Sequence, residues 1–146
     1  MPLTDREVFA RLIQCEAGGE GDNGMRAVAS VVMNRVRATE GEYARVGQGS
    51  LRKIIFQPYQ FVCASETERG QYNPQNLFNM SPEQIHYDIA DWAIAGNRLM
   101  NLGQALWFYN PFSPTCRQNF PSNVGYFVTR IGDHCFYNPT EAYADT

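Results

Sequence analysis

The feature that most constrains this chain is a helical stripe that runs directly into a glycine-rich segment. Thr4 and Glu7 form a capping box, which predicts that a helix begins near Asp5. Four glycines within positions 18–24 end the pattern, so we expect a loop after Ala17. One face of this helix recurs at α-helical spacing, and three of its four side chains are apolar. They are Phe9, Leu12, Ile13 and Glu16.

Two further helices are predicted from similar signals. A stripe that begins at Met25 favours a helix to about Ala38, in which Arg35 lies off the apolar face and offsets the helix dipole. Ser81 and Pro82 favour the start of a third helix, which Gly96 and Asn97 end. Its expected buried face is Ile85, Ile89, Trp92 and Ala93. The other expected elements are a short helical turn over 50–56, loops over 39–50 and 65–79, and strands over 105–109 and 126–131.

Composition excludes several classes of protein. A chain of 146 residues has the length of one domain, and we expect residues 1–146 to form one. With 44% apolar and 18% charged residues, the chain is not a disordered tail. A net charge of −3, with Lys53 as the single lysine, argues against a nucleic-acid partner. The apolar runs are far shorter than the roughly 20 residues of a membrane span, and no signal-peptide pattern opens the sequence.

Glu16 occupies the fourth position of the first stripe, where the glycine segment opens the structure. Burial on an apolar face removes water from a carboxylate and raises its pKa. A glutamic acid that stays protonated near neutral pH is suited to protonate the leaving oxygen of a glycosidic bond. The sequence therefore indicates Glu16 as a candidate general acid. The alternative is that the helix frays before Glu16, so that its carboxylate reaches solvent or pairs with an arginine.

Several ordered blocks extend this interpretation over most of the chain. Residues 15–20, 24–36 and 54–61 are similar to the patterns E-A-x-G-E, G-x-x-A-V-x-x-V-x-x-N-R and I-[YF]-x-P-x-x-F. Residues 106–111 and 131–140 add a carboxy-terminal part that contains H-C-F-Y-x-P-T. Together these blocks resemble the SleB/CwlJ family of spore cortex-lytic cell-wall hydrolases. The carboxy-terminal part is more similar to the CwlJ-like branch.

The resemblance implies a fold and a reaction. The expected fold is α+β, mainly α: a lysozyme-like single domain with a small β element and long loops. The expected reaction cleaves the β-1,4 bond after N-acetylmuramic acid in spore cortex peptidoglycan. The first Glu of the family's E-A-x-G-E block is its catalytic acid, and Glu16 matches it. In the SleB branch this carboxyl acts first as an acid and then as a base, and the product is a 1,6-anhydro sugar.

Glu20 is the nearest second carboxyl in the sequence. A hydrolase needs such a partner at roughly 5–5.5 Å for retention or 6.5–9.5 Å for inversion, whereas a lytic transglycosylase does not. Gly18 and Gly19 leave the direction of Glu20 open. We expect Glu20 to hold the loop or to contact substrate at its edge; the alternative is a direct catalytic role beside Glu16.

The chain is rich in side chains that suit a glycan groove. It has nine Phe, eight Tyr and two Trp, and nine of these aromatics lie between Trp107 and Tyr137. Rings can cover sugar faces and amides can bind N-acetyl groups, although an aromatic core under irregular loops explains the same composition. The residues in family-like blocks that we expect at the substrate are Gln57, Phe61, Tyr109, Asn110 and Tyr137.

The cysteines and histidines do not indicate a metal or a cofactor. None of the four cysteines has C-x-x-C spacing, so we expect no zinc ribbon, no other metal site and no cofactor. Cys116 and Cys135 stand where the CwlJ-like branch also carries cysteines. The resemblance leaves two states open for them, a disulfide across the carboxy-terminal hairpin and reduced thiols. His134 is interpreted as a buried, hydrogen-bonded structural residue.

The resemblance also carries expectations about partners and location. It implies peptidoglycan glycan strands as substrate, a small spore-coat protein needed for localisation, and no membrane span. It implies synthesis in the mother cell without a signal peptide, and a final place at the coat/cortex boundary. Two alternatives stay open at this point. One is a general lysozyme-like muramidase of vegetative or phage origin, and the other is a non-catalytic glycan-binding module in which Glu16 is structural.

Overall fold

A computed structural model describes residues 2–146, which form five α-helices and two small antiparallel sheets. The helices are α1 (Asp5–Ala17), α2 (Gly21–Val36), α3 (Gly41–Gly47), α4 (Leu51–Ile55) and α5 (Gln84–Ile94). The strands are β1 (Thr67–Glu68), β2 (Gln71–Tyr72), β3 (Trp107–Tyr109), β4 (Gly125–Ile131) and β5 (His134–Pro139). The expected class, α+β and mainly α, is confirmed.

Helix α1 has the predicted bounds and carries the candidate acid at its end. The Thr4 side chain accepts from the Glu7 backbone at 3.1 Å, and the Glu7 carboxylate accepts from the Thr4 backbone at 3.0 Å. The apolar members of the stripe, including Phe9 and Ile13, are fully buried in the core formed with α2 and α5. This packing holds the last turn of α1, and with it Glu16, against the interior.

Helix α2 begins at Gly21, four residues before the predicted start at Met25. The glycine-rich segment was predicted to be a loop, but Gly24 lies inside α2. It packs against Glu20, the residue that precedes the helix. A Cβ built on Gly24 would lie 2.4 Å from Cβ of Glu20, so only glycine fits there. The loop between α1 and α2 is therefore a tight turn, closed by a hydrogen bond from Glu20 N to Ala17 O at 2.9 Å.

Helix α3 lies in a segment that was predicted to be a loop. Its one large buried side chain is Tyr43, which is 1% exposed and donates its backbone N–H to the hydroxyl of Tyr143 at 3.0 Å. Trp107 packs edge-on against Tyr143 at a ring-centroid distance of 5.4 Å. The first contact joins residues 100 positions apart and both are long-range, so a local sequence pattern does not show them. The turn over 50–56 forms as predicted, with Ser50 capping α4.

Helix α5 begins later than predicted. Glu83, rather than Ser81, is the N-cap, and His86 completes its capping box by accepting from Glu83 N at 2.9 Å. The buried face is correspondingly rotated, because His86 is 6% exposed and Ile85 is 36% exposed. The prediction of Ile85 as a core residue is therefore wrong. Ile89 and Ala93, by contrast, are fully buried as predicted.

The larger sheet has the order β3-β5-β4, with antiparallel pairing throughout. Its central strand, β5, was not predicted as a separate strand. Trp107 pairs with Tyr137 on one side, and Ile131 pairs with His134 on the other. The turn between β4 and β5 reaches the start of α2, where it contacts Glu20. The sheet is thereby attached to the turn that follows Glu16.

Candidate active site

Glu16 lies in the last turn of α1 with its side chain half-buried. Gly18 follows the helix so closely that a Cβ at this position would lie 2.5 Å from the carbonyl oxygen of Gln14. Burial raises the pKa of Glu16 to about 7, and the positive charge of Arg35 opposes this shift. Glu16 can therefore hold a proton near neutral pH and release it at little cost, as a group that acts both as acid and as base must.

Arg35 is a buried cation whose charge acts on Glu16, and the local sequence pattern did not predict its burial. It is 4% exposed, and its Nε donates to the carbonyl oxygen of Leu106 at 2.7 Å. Its guanidinium carbon lies 4.5 Å from the ring centroid of Tyr43 and 5.0 Å from that of Phe61. The interpretation as a cation that merely offsets the helix dipole is corrected. The available signal was the N-R pair at the end of the family-like block.

A second carboxylate flanks Arg35, but it does not act on Glu16. The charges of Glu16 and Glu42 both favour the charged form of Arg35, although burial is the larger effect and lowers the Arg35 pKa. Within residues 2–146, Arg35 is the one charged group that shifts the pKa of Glu16. The Glu16 pKa is thus balanced between burial, which raises it, and one positive charge, which lowers it.

Glu20 holds the turn between β4 and β5. Its Oε1 accepts from the backbone N–H of Asp133 at 3.1 Å and lies 3.2 Å from Nδ1 of His134. Burial lowers the pKa of His134, against the opposing charge of Glu20. At neutral pH the contact is therefore mainly the hydrogen bond from Asp133. Of the two roles expected for Glu20, these contacts match that of a residue that ties down a loop.

A groove of about 580 Å³ lies between residues Phe56 and Arg69. Gln57 and Phe61, two of the residues expected at the substrate, line it. Glu16 is not among the lining residues, but two connections join it to the groove. A disulfide links Cys15 to Cys63, and Phe61 contacts Arg35, whose charge acts on Glu16. Phe61 thus both lines the groove and contacts the cation whose charge acts on Glu16.

The other residues expected at the substrate, Tyr109, Asn110 and Tyr137, do not line this groove. Tyr137 is fully buried, and its hydroxyl donates to Arg117 O at 2.7 Å, so its interpretation as a substrate-binding residue is corrected. Tyr109 stacks on Phe120 at 4.7 Å between ring centroids. Asn110 uses its side-chain oxygen to accept from the backbone of Phe112 at 2.8 Å. These residues build the carboxy-terminal layer and do not line the groove.

Two disulfides, Cys15–Cys63 and Cys116–Cys135, pair all four cysteines. Cys15 therefore holds α1 to the segment that carries the groove. Among residues 2–146, no cluster of three or more His, Cys, Asp or Glu side chains has the arrangement of a metal site. No helix within the same residues is both long and apolar enough to cross a bilayer.

A glutamic acid whose burial raises its pKa to about 7 is suited to protonate the leaving oxygen of a glycosidic bond. Comparison with known sequences assigns the family within the class of enzymes that cleave such bonds. The chain belongs to the Cell Wall Hydrolase family, whose profile matches residues 19–137 and so begins just after Glu16. The expected class of enzyme, a peptidoglycan glycosidase of the SleB/CwlJ family, is thereby confirmed.

Individual relatives agree with this assignment. The chain is 31% identical over 138 residues to the cell wall hydrolase CwlJ of Bacillus subtilis (strain 168), which covers 93% of this chain and 86% of the relative. It is 32% identical over 137 residues to CwlJ of Oceanobacillus iheyensis, covering 93% and 87%.

Solved structures share the fold. The catalytic domain of the germination-specific lytic transglycosylase SleB from Bacillus anthracis superposes with a TM-score of 0.65 at 24% identity, over 94% of this chain and 97% of that one. The catalytic domain of the Bacillus cereus SleB protein gives a TM-score of 0.60 at 25% identity, over 92% and 89%. The expected lysozyme-like fold is confirmed by these two similarities.

Proposed function

We propose that this protein, as one catalytic domain, cleaves the β-1,4 bond after N-acetylmuramic acid in spore cortex peptidoglycan by lytic transglycosylation. The observation that carries the proposal is Glu16, a carboxyl in the last turn of α1 whose burial raises its pKa to about 7, so that one group can serve first as acid and then as base. Retaining and inverting hydrolysis each need a second carboxylate across the bond, and a transglycosylase does not. The similarity to CwlJ and to the SleB lytic transglycosylase supports the same reaction.

The proposed reaction proceeds in two proton transfers through Glu16. Protonated Glu16 donates its proton to the glycosidic oxygen as the bond from that oxygen to C1 of N-acetylmuramic acid breaks. The resulting carboxylate then takes the proton from the C6 hydroxyl of the same sugar, and O6 bonds to C1. The products are a free 4-hydroxyl on the leaving sugar and a 1,6-anhydro end. Glu16 regains its proton, and no water is consumed.

Arg35 has a positioning and electrostatic role in this scheme. Between the two proton transfers Glu16 is an anion, and the buried positive charge of Arg35 favours that form. A cation held by Leu106 and stacked between Tyr43 and Phe61 is already in place before the charge develops.

The test uses purified cortex peptidoglycan and two matched variants. Glu16→Gln keeps the shape of the side chain and removes the transferable proton, so release of muropeptides is expected to fall at least a thousandfold. Glu20→Gln is the control, because it changes a carboxylate in the adjacent turn without touching the proposed acid, and it should retain most activity. Equal and complete loss in both variants would overturn the single-carboxylate scheme.

Analysis of the products distinguishes the reactions. Lytic transglycosylation yields 1,6-anhydro ends that borohydride does not reduce, whereas hydrolysis yields reducible ends. A zymogram with cortex and with vegetative wall tests the substrate. Clearing of vegetative wall alone would favour a general muramidase, and binding without clearing would favour a glycan-binding module.

The location and the protein partner are proposed from the similarity to CwlJ-type enzymes. We place the protein at the coat/cortex boundary, made in the mother cell and held there by a small spore-coat protein. A fluorescent fusion that stays diffuse in the mother cell would contradict this placement. Immunoprecipitation from crosslinked coat extracts tests the partner, and recovery of the enzyme without any coat protein would count against it.

A further inference from the structure

Tyr59 adopts a conformation that folding alone does not explain. Gln60 N donates to Gln57 O at 3.3 Å, which closes a turn with Pro58 and Tyr59 at its two central positions. Tyr59 has φ of +67°, and the second central position of such a turn normally carries glycine or asparagine. A tyrosine there adopts a disfavoured backbone conformation, yet its relative exposure of 104% means that the ring gains no packing in return.

The exposed ring stands on the wall of the groove. Tyr59 lines the same cavity of about 580 Å³ as Gln57 and Phe61. Phe61, in the same groove, contacts Arg35, whose charge acts on Glu16. A large aromatic surface held in solvent along such a groove is typical of a binding residue.

Gln57 supplies a second, independent observation in the same groove. Its side chain is 9% exposed, and its Nε2 donates to Oε1 of Glu42 at 3.2 Å. Because a carboxylate only accepts, this contact orients the amide and leaves Oε1 as the free acceptor. Oε1 has no hydrogen-bond donor among residues 2–146, although it is buried. A buried acceptor without a donor is costly, and a ligand N–H satisfies it.

We propose that Tyr59 and Gln57 form a subsite for one N-acetylated sugar of the glycan strand. The apolar face of the pyranose stacks on the ring of Tyr59, and the acetamido N–H donates to Oε1 of Gln57. This subsite rests on the proposed function, since it deepens substrate recognition in the same groove. We expect it to select N-acetylated over de-N-acetylated sugars, because the neutral amide N–H can reach a buried acceptor, whereas the protonated amine must be desolvated as a full charge.

The chain offers a matched control for Tyr59. Phe112 also has a positive φ, of 52°, and a highly exposed ring, at 89%, but it does not line the groove. Replacing either residue with glycine removes a ring and relieves the backbone, so both changes should raise the denaturant midpoint of unfolding. Only the change at Tyr59 should affect binding.

The experiment measures binding of chitotetraose, a soluble chain of N-acetylglucosamine, by calorimetry in the Glu16→Gln background. Tyr59→Gly is expected to weaken binding about tenfold while the unfolding midpoint rises, and Phe112→Gly should change binding less than twofold. A purely structural role would move stability and binding together. Unchanged binding in Tyr59→Gly would overturn the assignment of Tyr59.

The role of Gln57 is tested with a second ligand. The Glu16→Gln protein should bind chitotetraose at least tenfold more tightly than the fully de-N-acetylated tetrasaccharide, and Gln57→Met should reduce that ratio towards one. A ratio that Gln57→Met leaves unchanged would overturn the acetamido contact. These measurements need no catalysis, so failure of Glu16 as the acid would appear in the cortex assay and not here.

Discussion

The positive charge of Arg35 partly offsets the effect of burial on the pKa of Glu16, at the end of α1. Burial favours the neutral form of Glu16, and the charge of Arg35 favours the anion, so that the carboxyl has a pKa of about 7. Arg35 is itself held by Leu106 and two aromatic rings, independently of Glu16. The pair therefore behaves as an acid tuned by a fixed cation and not as a salt bridge.

We expect the pH dependence of cleavage to report this balance. Activity should fall above about pH 7, because Glu16 then enters the reaction without its proton. In Arg35→Gln the favourable charge is gone, so the falling limb of kcat/KM should move upward by roughly one pH unit. Arg35→Lys keeps the charge and serves as the control. A limb that moves downward in Arg35→Gln would contradict the assignment.

Glu16→Gln should change how stability depends on pH. The folded-state pKa of about 7 lies above the ordinary value of 4.5, so the folded protein binds more protons than the unfolded chain between these values. Stability contributed by protonated Glu16 is present below pH 4.5 and is lost as the pH rises through 7. Relative to native protein, Glu16→Gln should gain roughly 3 kcal/mol between pH 4 and pH 8.5.

Urea unfolding of both proteins at the two pH values measures this gain. Other titrating groups contribute equally to native protein and variant, so the difference isolates Glu16. A difference that stays constant across the range would show that Glu16 is solvated and has an ordinary pKa.

The two disulfides should contribute unequally to stability. The Cys15–Cys63 bond spans 48 positions and Cys116–Cys135 spans 19. Loop-closure entropy predicts losses of about 4 and about 3 kcal/mol respectively for the paired serine variants. The first pair should also weaken chitotetraose binding, because Cys63 belongs to the groove segment and Cys15 precedes Glu16. Urea unfolding under non-reducing conditions measures the stability of the two variants, and calorimetry measures their chitotetraose binding. Equal binding defects in both variants would contradict a specific role of Cys15–Cys63 in holding the groove.

The contact of Glu20 with the β4–β5 turn depends on an accepting oxygen and not on charge. Glu20→Gln retains an oxygen for the N–H of Asp133, so unfolding should change by less than about 0.5 kcal/mol. Glu20→Ala removes the acceptor and should cost about 1–2 kcal/mol. Hydrogen exchange at Asp133 reads the contact directly. Faster exchange in Glu20→Gln than in Glu20→Ala would refute this account.

The structural elements that were predicted correctly are determined by residues close together in the sequence. The capping box of Thr4 and Glu7 and the stripe that follows determine α1 locally, and its bounds are as predicted. Glu16 was found in the same way, because its place on that stripe implied burial. Its raised pKa agrees with that reasoning, although its catalytic role stays a proposal.

The residues that the sequence did not show depend on distant partners. Arg35 is buried because Leu106, Tyr43 and Phe61 surround it, and none of these lies within its helix. Tyr137 was expected at the substrate because it belongs to an aromatic block, yet β5 is the central strand and buries it. Periodicity indicates which face of an element is covered, but not what lies on the other side.

One disulfide lies in the amino-terminal half of the chain and the other in the carboxy-terminal half, and neither joins the two halves. Neither of them crosses the exposed β1–β2 hairpin, whose tip is Arg69 and Gly70, both with positive φ. Every residue that we assign to the chemistry or the groove lies at or before Arg69, whereas α5 and the larger sheet lie after the tip. One peptide-bond break at the tip would therefore leave a two-chain assembly, with its reactive groups on one polypeptide and their scaffold on the other, joined only by packing and polar contacts.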